Sequence, residues 1–239
     1  MASVTLFAGP SAHGLPPPLR RLRGIRWLPP VRRGDIDRLR ASARQPATVV
    51  VCDGVFQAAP AVSHAELCRA LDAGWQVWGV SSIGAIRAHE LRAEGMRGFG
   101  WVHAQFTQHD DFTDDELCLL HFPEAPYFPV SEALVNLRYA FAERGAELGI
   151  GAAAQRRTLS ALRARWFGDR TELRMRELMQ ATAGIAPARA DALLAWLRLH
   201  RVKTLDLAAL LLRRPWQDPL RSPAPSTGPQ RPSSSRPRD

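Results

Sequence analysis

The feature that most limits the fold is a recurring order. A short apolar run ends in glycine or serine, and a helix-like segment follows at once. "ATVVVCDG" (47–54) is the clearest run, continuous in apolar residues and closed by an acid and a glycine. "SHAELCRALDAGW" (63–75) then sets Leu67, Ala70 and Leu71 on one helical face and stops at Gly74. "QVWGVSS" reads as the next strand and "GAIRAHELRAEGM" as the next helix. Upstream, "SVTLFAG" (3–9) reads as a first buried strand and Ile25–Leu28 as a short strand in a Pro-rich stretch. "GDIDRLRAS" reads as a helix with Asp35 placed to cap it. This alternation predicts right-handed βαβ crossovers, hence an α/β, Rossmann-like three-layer parallel sheet. Such sheets bind ligands beyond the carboxyl ends of their strands. That edge carries Gly9 and Pro10, Asp53 and Gly54, and Ser81 and Ser82.

Beyond Gly100 the pattern changes. Ser131 is placed to cap the helix "SEALVNLRYAFAERGAEL", and residues 152–212 read as all-helical. The expected organisation is an α/β core over 1–150, a C-terminal all-helical extension over 151–214, and a tail over 215–239. The tail's Pro, Ser and Arg content cannot build a core and is expected to be disordered. Six arginines and two aspartates from Arg213 onward supply +4 of the formal net charge of +9. With no aromatic-interleaved basic stripe and no zinc-finger spacing, nucleic acid is not the expected partner. No apolar run reaches the ~20 residues of a membrane span, and the N-terminus lacks the basic and apolar regions of a signal peptide. Cys52, Cys68 and Cys118 sit in apolar patterns without metal-type spacing, as in a reduced, cytoplasmic protein.

The motifs "DGVFQAAPAVSHAEL", "GVSSIGAIRAHELRAEGMRGFGWV", "DDELCLLH" and "PVSEALVNLR" occur in this order, preceded by "GPS" and "LPPVRRGD". In sequence and spacing they resemble the TfuA-like family over roughly residues 4–142. The resemblance implies a partner of a YcaO protein in the biosynthesis of ribosomal peptide natural products, where backbone thioamides form. YcaO activates an amide with ATP, and the TfuA-like partner delivers sulfur. The implied route is hydrolysis of the thiocarboxylate at the C-terminus of a small ubiquitin-like sulfur carrier protein, with the precursor peptide as a further candidate partner. The resemblance implies no cofactor and no metal. One departure stands out: the family's His-Lys-Glu is His64-Ala65-Glu66 here. Lys203, the only lysine, lies far outside these motifs, so no core lysine is expected to serve as base or cation.

Three readings of Ser82 stay open. It is a nucleophile on a sharp turn, although Val80 stands where the G-x-S-x-G elbow has its first glycine and only Gly84 fits. Alternatively Ser81 or Ser82 caps the next helix, or the helix N–H groups cradle an anion. In the catalytic reading His64 is a general base in a helix's first turn. Asp53 orients it, and Arg87, with Glu90 one turn on, binds the carrier's acidic end. Glu66 is a further expected binding residue, although it also stands at capping-box spacing from Ser63, as Glu116 does from Thr113. Gly9, Pro10, Gly54, Ser81 and Gly84 complete the expected binding edge. The competing reading is a non-catalytic adaptor that presents the carrier tail or peptide to YcaO.

Overall fold

The computed structural model describes residues 4–55 and 59–218. One sheet contains β1 (Val4–Phe7), β2 (Ile25–Leu28), β3 (Thr48–Val51), β4 (Gln76–Val80) and β5 (Arg97–Phe99). Its order is β2-β1-β3-β4-β5, and every neighbouring pair is parallel. α1 (Pro17–Arg20) covers one face, where its Leu19 packs with Val4, Leu6, Val50 and Trp78. α2 (Asp35–Ser42), α3 (His64–Asp72) and α4 (Ile83–Glu90) cover the other, burying Ile36, Leu67 and Ala88 against Phe7, Val49, Val51 and Val77. The chain thus winds one way from β1 to β2 and the other way from β3 onward. That reversal opens a crevice at the carboxyl ends of β1 and β3.

Beyond the sheet follow the helices α5 (Trp101–Gln108), α6 (Leu134–Arg144), α7 (Ala152–Arg163), α8 (Glu172–Ala183), α9 (Pro187–Leu199) and α10 (Val202–Arg213). α6 to α9 share a second core around Leu137, Leu162, Met179 and Leu193. α10 returns to the sheet, where Leu207, Leu210 and Leu211 lie with Val4, Leu6 and Trp78. The first face is therefore finished by a helix from the far end of the chain. Pro215–Gln217 form one further turn whose Trp216 joins the same core, while residues 219–239 of the expected disordered tail lie outside the described residues. Among the described residues no helix is long and apolar enough to cross a membrane.

Several local expectations need correction. Gly34, with φ 85°, precedes α2 in place of Asp35, and the N–H groups of Gly34 and Ile36 donate to Glu66. Ser131 does not cap α6; its hydroxyl accepts the Leu120 N–H at 2.8 Å. β5 was not expected at all, because three half-buried residues with a central glycine leave no periodic signal.

A buried carboxylate locks α10 onto the sheet. Asp206 accepts the N–H groups of Trp101 at 2.9 Å and Val102 at 2.8 Å, the first two of α5. Gly100 makes room with φ 96°; a Cβ there would lie 2.3 Å from the Asp206 carboxyl carbon. Burial pushes Asp206 up to about 7 against these two donors. Native protein then keeps a proton that the unfolded chain has lost, so stability falls as pH rises from about 4 to about 7. Urea unfolding across that range should show the fall, by at most roughly 4 kcal/mol, and Asp206→Asn should abolish it.

Candidate functional site

A cavity of about 490 Å³ occupies the crevice. Pro10, Asp53, Gly54, Ser82 and Ile83 form its floor, and the segment from Asp114 to Tyr127 covers it. That cover is held by ion pairs. Glu116, fully buried, accepts Arg138 in bidentate fashion at 2.8 and 2.6 Å and Arg163 at 2.6 Å. The buried Arg170 guanidinium holds both the Asp115 carboxylate and the Asp115 carbonyl. Thr113 makes no side-chain cap, so the T-x-x-E spacing records these ion pairs and not a capping box.

The turn between β4 and α4 answers the question of the serines. The N–H of Ser82 donates to the Val80 carbonyl at 2.7 Å across Ser81, whose φ is 64°. An i to i+2 bond around a residue with positive φ is a strained γ-turn, costing on the order of 1–3 kcal/mol. The strain therefore sits on Ser81. Gly79, two residues before Ser81, lets α4 pack close: a Cβ there would lie 1.9 Å from the Gly84 carbonyl oxygen. The Ser81 hydroxyl is buried and donates to the Lys203 carbonyl at 2.6 Å, away from the cavity. Ser82 precedes α4 but makes no side-chain cap, and it lines the cavity. Gly84 works by close packing: a Cβ there would lie 1.8 Å from the Val51 carbonyl oxygen, and its N–H donates to Cys52 O. The N–H groups of Ala85 and Ile86 turn back to Ser82 O. Of the first N–H groups of α4, that of Ile83 has no acceptor among the described residues. The anion cradle is thus narrower than the sequence suggested.

The expected catalytic set does not assemble. Asp53, 1% exposed, accepts the N–H of Gly9 at 2.8 Å, the N–H of Ser11 at 3.0 Å and the Ser11 hydroxyl at 2.6 Å. Both oxygens are engaged by the β1 turn, so Asp53 clamps that turn and does not orient His64. His64 instead pairs through Nε2 with Glu90 at 2.8 Å, and Arg87 donates to the same carboxylate at 2.6 Å and to Val62 O at 3.1 Å. The hydrogen bonds from Arg87 and His64 outweigh desolvation and hold Glu90 below its ordinary range. These three residues form a network between α3 and α4, outside the cavity lining. Glu66 closes the capping box with Ser63 and reaches the start of α2, joining two helix N-termini. Pro10 and Gly54 do line the cavity.

The residue that the sequence hid is Lys203. It lies in the first turn of α10, is among the residues that line the cavity, and is 2% exposed. Although Lys203 lies far outside the motifs in sequence, α10 folding back onto the sheet places it in the cavity wall. Cys118 also lines the cavity, its thiol pushed up to about 11 by burial, which keeps it protonated.

The fold is an all-parallel α/β sandwich of the doubly wound class with a mostly apolar cavity at its switch point. Residues 53–171 match the family model described as TfuA-like protein, and the chain belongs to the TfuA-like family. That family is linked to YcaO partners in thioamide biosynthesis. No curated protein matches the chain.

Asp53→Ala leaves the N–H groups of Gly9 and Ser11 unpaired in the floor of the cavity. Urea unfolding should show a loss of about 3 kcal/mol or more, whereas Asp53→Asn should keep part of it.

Proposed function

We propose that this chain serves a YcaO protein by taking the thiocarboxylate terminus of a sulfur carrier protein into the cavity and hydrolysing it to release sulfide. The observation that carries the reading is Ser82. It stands in the cavity wall directly after a strained turn, and its hydroxyl has no partner among the described residues. In this reading Ser82 Oγ attacks the thiocarboxylate carbon, a C–O bond forms, and the C–S bond breaks. The departing sulfur takes the serine proton and leaves as hydrosulfide, so no side-chain base is needed for that step. Water then cleaves the acyl-serine ester, regenerating the hydroxyl and a carrier carboxylate. The Ile83 N–H is the backbone donor available to the acyl oxygen.

The cavity mouth suits a polypeptide tail. Leu120–Phe122 and Phe128–Val130 pair as a short ribbon, with Phe122 N donating to Phe128 O and Val130 N to Leu120 O. Phe122, Phe128, Val130 and Trp166 are all exposed there, an apolar rim of the kind that marks an interaction site. The adaptor reading is favoured by one observation: among the described residues, no side-chain base touches Ser82.

Sulfide release from a thiocarboxylated carrier separates the two. The hydrolase reading expects turnover by the wild type, a loss of about a thousandfold or more in Ser82→Ala, and near-normal rates in His64→Ala. Wild type that binds the carrier and releases no sulfide is an adaptor.

A further inference from the structure

We infer that Lys203 is the anion-binding residue of the cavity, receiving the negatively charged acyl end of the bound tail; this rests on the reading of the cavity as a carrier-tail site. Lys203 is the single lysine among 32 basic residues, and it lies outside the stretch matched by the family model. Its ammonium has three donors, yet it makes one hydrogen bond, to Leu117 O at 2.8 Å, and no ion pair among the described residues.

The carboxylates that could neutralise it are engaged elsewhere. Asp53 holds Gly9 and Ser11, Glu116 holds Arg138 and Arg163, Asp115 holds Arg170, and Asp206 holds α5. Asp114, the other acid in the cavity wall, lies in the field of Arg87, His89 and Glu90. A buried ammonium with one neutral acceptor is costly unless an anion enters beside it.

The backbone of Lys203 is also fixed where such an anion would need it. Its carbonyl accepts the Ser81 hydroxyl at 2.6 Å, and its N–H donates to Asn136 Oδ1 at 3.2 Å. The backbone that carries the cation is therefore pinned to the strained turn before Ser82, while Nζ itself rests on Leu117 O. Attack by a serine whose proton passes to sulfur moves the negative charge of the thiocarboxylate from sulfur onto the acyl oxygen. A fixed, desolvated ammonium at that place lowers the barrier and selects an acid terminus over a neutral one.

The test uses the full chain and the sulfur carrier protein in two forms, one with its native C-terminal carboxylate and one with a C-terminal amide. Wild type should bind the carboxylate form about tenfold or more tighter by calorimetry. Lys203→Met should lose that preference while its melting temperature holds or rises, because it removes an unpaired buried charge. Equal binding of both forms by wild type overturns the proposal and needs no variant. A preference that survives in Lys203→Met also overturns it, as does a lowered melting temperature with the preference intact, which assigns Lys203 to the Leu117 contact alone. Sulfide release by wild type is a separate readout. Its absence alongside carboxylate-dependent binding removes the hydrolysis and leaves the role of Lys203 standing.

Discussion

The structure depends on buried carboxylates that hold backbone N–H groups. Asp53 gathers the turn after β1, Glu66 joins the first turns of α2 and α3, and Asp206 fixes α5 beneath α10. Each satisfies donors that burial would otherwise leave unpaired, at a cost of about 1–3 kcal/mol apiece. Acids at the carboxyl edge of a parallel sheet invite a catalytic reading, and here two of the expected ones, Asp53 and Glu66, are structural.

Engaging the acids this way leaves the cavity with a distinct chemistry. Its walls carry mostly apolar side chains together with Arg32, Asp114, Cys118, His121, Lys203 and Ser82, whose hydroxyl has no partner among the described residues. The strain of the β4–α4 turn falls on Ser81, whose hydroxyl reaches across to α10. One hydrogen bond therefore links the turn that aims Ser82 to the residue that supplies positive charge. The His64–Glu90–Arg87 network lies on the outer side of α4, where Arg87 also holds Val62 O. It braces the start of α3 against α4.

The sheet was legible because its central strands are continuous apolar runs. β1, β3 and β4 were readable from "VTLF", "TVVV" and "QVWGV", and the edge they form was correctly placed as the crevice. The capping box at Ser63 and Glu66 was legible from spacing, but its reach to α2 was not, since 30 residues separate Glu66 from Ile36. Asp53 was placed at the right edge and given the wrong partner, because sequence does not show which oxygen faces the β1 turn. Lys203 could not be read at all. It enters the site through a contact 122 residues from Ser81, made by a helix whose pattern shows only that one face is apolar.

The most direct test of the account is a crystal structure of the Ser82→Ala variant bound to the thiocarboxylated carrier. The account places the carrier terminus inside the cavity, its sulfur and oxygen between the substituted side chain and the Lys203 ammonium. A terminus seated instead beside His64 and Glu90, with the cavity unentered, contradicts it.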